Sequence, residues 1–203
     1  MQAIDWAAQK GVDIINISAG FRNDHLPLRE AIKRAHEKGI LIFAAAANWG
    51  NAGPGVAFPA AIKDHAFCIF SCNGDLWASK MMNPPGRNDA DNFASLGEDV
   101  RLDGYKEALK GTSVATALTA GLVARILDFA RHIDSRKAGC DEQRLRGRPG
   151  MRAVFKKISK EDGLFRCIAP WLLWQDPSAP NDMQLGRERI QEVIKEALNK
   201  MDR

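Results

Sequence analysis

The first 132 residues alternate between amphipathic stripes and short apolar runs. Residues 2–10 predict a helix that Gly11 stops, and residues 13–18 a strand. Residues 26–38 place Leu28, Ala31, Ile32 and Ala35 on one helical face, with His36 on the polar flank, and Gly39 ends that helix. Residues 40–47 are an unbroken apolar run that closes on four alanines, the pattern of a buried strand. Residues 67–72 supply a third strand. Residues 73–110 are rich in Gly, Pro, Asn and Asp and read as loops with short strand pieces, before a helix over about 112–132. This alternation predicts an α/β fold, a parallel sheet with crossover helices.

Beyond residue 132 the pattern changes, and the formal excess of +4 lies wholly in residues 133–203. A basic linker carries Arg144, Arg146, Arg148, Arg152, Lys156, Lys157 and Lys160 without an acidic residue among them. Such a run marks either an anionic partner surface or a solvated helix face, and the second is the commoner case. Residues 168–174 form an apolar plug expected to dock on the domain. Ile190, Val193, Ile194, Ala197, Leu198 and Met201 share one helical stripe, with Glu196 and Lys200 paired outside it, so the tail is expected to be mostly helical. The division expected is 1–132 for the α/β domain and 133–203 for the linker and extension.

Chemistry concentrates in two places. Ser113 stands between a Gly-Thr turn and an alanine-rich helix, with Thr112 as the expected N-cap, so free backbone N–H groups and the positive helix end lie beside its hydroxyl. That arrangement suits the anionic tetrahedral intermediate of acyl transfer, although a serine before a helix is also a common cap. Asn48 follows the alanine-rich strand and opens a glycine-rich loop, either as an amide donor on the rim of the sheet or as a turn-starting Asn.

Together these segments resemble the subtilisin-like serine proteases, the subtilases. The nucleophile motif of that family, Gly-Thr-Ser-x-Ala, stands as Gly111 to Ala115, and its trailing Ala-Gly as Ala120-Gly121. Asn48 is similar to the family's oxyanion asparagine, and Ser18, Ala19 and Gly20 to its peptide-contacting strand end. Phe58 to Ala60 and Asn92 to Gly97 recur in the same order. The resemblance implies a serine endopeptidase acting on polypeptides, with Ser113 as nucleophile and Asn48 in the oxyanion hole. It covers the C-terminal part of such a catalytic domain. The aspartate and histidine segments that precede these motifs in the family do not occur in this chain, so the chain by itself is expected to be inactive. A pseudoprotease fragment, or a non-catalytic interaction module, is the alternative. Ala47 replaces the family's usual glycine before the asparagine, and Ala117 the usual proline after the serine. If the first position needs a positive φ, alanine there costs on the order of 1 kcal/mol. The tail resembles extensions that follow subtilase domains in some fungal proteins.

None of the four histidines is expected to replace the missing base. His132 lies nineteen positions along the helix from Ser113, about 28 Å at 1.5 Å per residue. His36 reads as a solvated helix residue, and His25 and His65 as surface loop residues. Cys68 and Cys72 are about 13 Å apart along a strand and cannot pair. Buried thiols, rather than a metal site with His65, are therefore expected. No cofactor is evident, and structural calcium is left open. Gly50, Gly53 and Gly55 run opposite to a dinucleotide fingerprint. No apolar run reaches the roughly 18 residues of a membrane span, so no membrane partner is expected; a nucleic-acid partner is not expected either. The N-terminus lacks a signal pattern, and the compartment is left open with an intracellular site favoured.

Overall fold

The computed structural model describes residues 1–132, 141–174 and 183–201. Along the chain run α1 (Gln2–Gln9), β1 (Ile14–Ile17), α2 (Leu26–Glu37), β2 (Leu41–Ala45), β3 (Phe67–Cys72), β4 (Asn92–Leu96) and α3 (Thr112–Arg131). There follow α4 (Glu142–Arg146), α5 (Arg148–Lys157), β5 (Ser159–Asp162), β6 (Phe165–Ile168), a 3-10 turn at Pro170–Leu173 and α6 (Met183–Asn199). The strands form one sheet in the order β1-β2-β3-β4-β6-β5, parallel throughout except for β5 against β6. The expected α/β class, with a mostly parallel sheet, is what the chain adopts.

Both faces of the sheet are covered, which is why all five residues of β2 and all six of β3 are buried. On one face α1 and α2 pack Ile4, Ala31, Ile32 and Ala35 against Ile40 and Ile42. On the other, α3 to α6 close over Leu41, Phe43, Phe67, Ile69 and Phe93. Phe155 of α5 sits among the aromatic rings of that face, its centroid 5.4 Å from Phe67 and 5.2 Å from Phe93, both edge-on. That arrangement suits the aromatic quadrupole. α3 is long and apolar enough by composition to cross a membrane, a length that counting unbroken apolar runs overlooked. Here Val123, Ile126, Leu127 and Ala130 bury its inner face in the core.

Two buried asparagines organise the segment that read as loops. Asn92 accepts from the Arg87 N–H at 3.0 Å and donates to the carbonyls of Arg87 and Leu164 at 2.8 and 2.9 Å, so it fixes the start of β4. Asn83 accepts from the Ser71 N–H at 2.8 Å and donates to its carbonyl at 2.7 Å, taking the place of a neighbouring strand beside β3.

The tail is more than helices. β6 pairs with β4, and β5 completes a hairpin at the sheet edge, so residues 159–168 extend the same sheet. Ile168 and Leu173 of the apolar plug enter the core shared with β2, β3 and α3, as do Val193, Ile194, Ala197 and Leu198 of α6. Gly150 lies where α5 crosses the end of α4, and a Cβ there would stand 2.1 Å from the Arg144 carbonyl oxygen, so no larger residue fits. The basic run is largely neutralised within the fold. Arg146 and Arg131 share Asp13 and Glu142, Arg152 and Lys156 share Asp91, and Lys157 meets Glu196. Gly139 and Cys140 of the linker lie outside the described residues.

Candidate active site

Parallel strands deliver their C-terminal ends to one rim of the sheet, and three candidate residues meet there. Ser18 follows β1, Asn48 follows β2, and Ser113 lies in the first turn of α3. Ser113 Oγ donates to the Ser18 carbonyl at 3.1 Å, and Ser18 Oγ donates back to the Ser113 carbonyl at 2.9 Å. The reciprocal pair links the helix start to the strand end across 95 positions of sequence. Ser18, Ala19 and Gly20 are exposed, and Ser113 is half-buried. The exposed segment is anchored just beyond Gly20, where Phe21 and Phe58 exchange backbone bonds of 2.8 and 2.9 Å.

Thr112 is not the helix cap. Gly111 occupies that position with φ 127°, and Thr112 is the first helical residue. The threonine instead orients Asn48, whose Oδ1 accepts from the Thr112 N–H at 2.8 Å and from Thr112 Oγ1 at 3.0 Å. With Oδ1 doubly held, the Nδ2 donor is turned away from Thr112 and has no acceptor among the described residues. A side chain at Gly111 would close this space, because its Cβ would stand 2.9 Å from Asn48 Nδ2. Ala47 does adopt a positive φ, 137°, so the strain expected from replacing glycine is present. Its N–H points to Thr112 Oγ1 at 3.3 Å. Thr112 therefore contacts both residues of the Ala47-Asn48 turn, a role that a threonine before a serine does not announce in sequence.

Each histidine is engaged elsewhere. His25 caps α2, its Nδ1 accepting from the Leu28 N–H at 3.3 Å. His132 lies at the far end of α3, with Nδ1 2.8 Å from the Asp128 carbonyl oxygen. His36 and His65 are half-buried and stack with ring centroids 5.0 Å apart, so His36 is not the solvated residue expected, while His65 lies in the turn before β3. Burial, first, then the charges of His65 and Arg148, hold the His36 pKa below its ordinary value. Cys68, Cys72 and Cys167 are free and buried. Burial pushes the Cys68 thiol up to about 12, so it stays protonated at neutral pH. Among the described residues no group of three or more His, Cys, Asp or Glu side chains could hold a metal ion.

The rim thus presents a hydroxyl at a helix start, a braced amide with an unused donor, and an exposed strand end. Residues 1–154 match the model of the subtilase family. The subtilisin-like protease het-Q2 of Podospora anserina is 34% identical over 137 residues, which is 63% of this chain and 37% of that protein. The minor extracellular protease Epr of Bacillus subtilis is 31% identical over 134 residues, 61% of this chain and 19% of its own length. The chain spans well under half the length of either relative. In structure it is similar to the prenylagaramide maturation protease PagA, with a TM-score of 0.62 and 21% identity, over 97% of this chain and 66% of that one. At that identity the structural likeness speaks for the fold alone.

Proposed function

Since the chain belongs to the subtilase family, we propose that it is part of the catalytic domain of a serine endopeptidase that cleaves polypeptides at Ser113. The observation that carries this reading is the placement of Ser113 in the first turn of α3, beside an Asn48 amide braced by Thr112. Ser113 Oγ attacks the carbonyl carbon of the scissile peptide, and the carbonyl π electrons move onto its oxygen. Asn48 Nδ2 and the Ser113 N–H then hold that oxyanion, in donors that need no reorganisation as charge develops. Ser18, Ala19 and Gly20 line the approach of the substrate backbone. The proton leaving Ser113 needs a base, and every histidine of this chain is engaged elsewhere. A histidine, oriented by an aspartate, comes from a segment outside these residues and later gives the proton to the leaving amine.

The bond from Ser113 Oγ to the Ser18 carbonyl also suits a second reading, a non-catalytic module in which that hydroxyl is structural. A fluorophosphonate probe separates the two. The chain alone is expected to label negligibly, because a serine without a base is a weak nucleophile. Co-expression with a subtilase segment that supplies Asp and His should bring rapid stoichiometric labelling, located at Ser113 by mass spectrometry and lost in Ser113→Ala. A complemented protein that binds the added segment yet stays unlabelled would establish the module instead.

A further inference from the structure

At the end of the sheet opposite Ser113, a cavity of about 350 Å³ opens between the first residues of β3 and β4, the loop before β4, and the first turn of α5. Its wall carries Lys63, Arg87, Arg148 and Arg152 against Asp64, Asp89 and Asp91. Lys63 pairs with Asp89, and Arg152 with Asp91, which also takes Lys156 at 3.3 Å. Arg87 and Arg148 remain with no carboxylate at ion-pair distance among the described residues, and the Nε of each is buried without an acceptor. Arg87 reaches only the Ala61 carbonyl, at 3.4 Å, and the Arg148 guanidinium lies over the Phe67 ring, 4.9 Å from its centroid. Asp64 is exposed and attracts Arg148 only from beyond ion-pair distance. Native folds rarely leave buried guanidinium donors unanswered, since each carries a desolvation cost that a bonded partner offsets.

We propose that this cavity binds a phosphate-type oxoanion, free or carried by a small phosphorylated molecule. Two planar guanidinium groups offer more donors than one carboxylate can accept, whereas the terminal oxygens of a phosphate can receive both. α5 begins at this wall with Gly147 making no side-chain cap, and although Pro149 has no N–H, the positive end of the helix adds to the potential. Ala66, Phe67, Phe93 and Pro149 also line the cavity, with the two rings almost wholly buried beneath it. Burial above all, then the charge of Arg152, depresses the Arg148 pKa against the opposing pull of Asp64 and Asp91. The cavity is bounded by both the α/β domain and the tail, so an anion there would tie α5 to the loop before β4.

The test uses the full chain, comparing sodium phosphate with sodium chloride at equal ionic strength, by thermal midpoint and by phosphorus NMR titration. Phosphate is expected to raise the midpoint and to show saturable line broadening. Arg87→Gln and Arg148→Gln should each weaken binding roughly tenfold or more, the loss of a charged hydrogen bond. Because Arg148 also packs on Phe67, Ala90→Asp provides an independent arm. It keeps both arginines, places a carboxylate on the cavity wall, and should abolish the phosphate effect. Arg125→Gln, on the exposed side of α3, should leave it unchanged. Phenyl phosphate binding more tightly than inorganic phosphate assigns the site to an ester, and equal binding assigns it to the free ion. A wild-type chain that responds alike to phosphate and chloride overturns the site, as does phosphate binding that survives in Ala90→Asp.

Discussion

The two ends of this sheet spend their polar groups in opposite ways. At the C-terminal rim Ser18, Asn48 and Ser113 are neutral, partly or fully exposed, and held by hydrogen bonds that leave the Asn48 amide N–H groups unused. At the other end charges are matched in pairs, rings interlock around Phe155, and α5 seals one face. Stability and the proposed chemistry therefore draw on different residues. A site that must bind a developing charge needs donors no native acceptor has taken, and such donors contribute little to folding. The closed end does the reverse, and among the described residues the buried nitrogens left unanswered are Nε of Arg87, Nε of Arg148 and Nδ1 of His65.

Phe155→Ala should strike the closed end hardest. The ring touches Phe43, Phe67 and Phe93 and is fully buried, so its removal is expected to cost about 3–5 kcal/mol in denaturant unfolding. Below its lowered midpoint, a complemented protein carrying the change should still label at Ser113. Loss of labelling while the protein remains folded would show that the two ends are coupled. Asn48→Ala is the converse. In a complemented, active protein turnover is expected to fall roughly a hundred- to a thousandfold with little change in substrate binding, the magnitude known for such a donor in a subtilisin. Unchanged turnover would remove Asn48 from the oxyanion hole.

What sequence made legible follows the same division. Helices and strands with strong periodicity, from α1 through β3 and again α3, were readable because local pattern and burial agree there. β4 was not, since Asn92-Phe93-Ala94 carries too little pattern of its own and is set in place by Asn92 bonding to the Arg87 backbone nearby and the distant Leu164 carbonyl. The hairpin of β5 and β6 was hidden for a related reason: Ser159 to Ile168 holds several charged residues, as an antiparallel edge can. The apolar plug was legible as apolar, but not as the continuation of a strand. At the rim, motif order identified Ser113, Asn48 and the Ser18 strand end as candidates, while the brace by Thr112 depends on a 64-residue separation that no local signal encodes. His36 was misread as solvated because its ring stacks on His65, in the turn before β3, a contact that no local signal encodes.

Ala47 sharpens the comparison from the rim side. Its φ of 137° is a conformation that L residues with a Cβ rarely adopt, held here between β2 and the Thr112 hydroxyl. Ala47→Gly should relieve that strain, partly offset by the greater freedom of glycine in the unfolded chain, for a net gain of about 1 kcal/mol. Chemical denaturation reads the sign directly. A destabilised glycine variant would mean that the Ala47 methyl contributes packing greater than the strain it imposes.

The smallest effect expected is a pH dependence at the closed end, and its sign follows from burial. The His36 pKa is held below its ordinary 6.5, chiefly by burial, with the charges of His65 and Arg148 adding and those of Glu37 and Asp64 opposing. Between its folded value and 6.5 the unfolded chain binds a proton that the folded chain does not, so stability rises with pH across that window. Lowering the pH from about 7 to about 5 should therefore reduce the thermal midpoint, to an extent limited by the partial exposure of the ring. The carboxylates act in a different window. Arg131 lowers Glu142 and Lys157 lowers Glu196 from an ordinary 4.5, while at Asp91 burial is outweighed by Arg152 and Lys156, which lower it from 3.8. Stability from those groups is complete above their ordinary values and is lost only in stronger acid, outside the range that reports on His36. His36→Gln should flatten the slope between about pH 5 and 7. An unchanged slope in that variant would assign the dependence to another group.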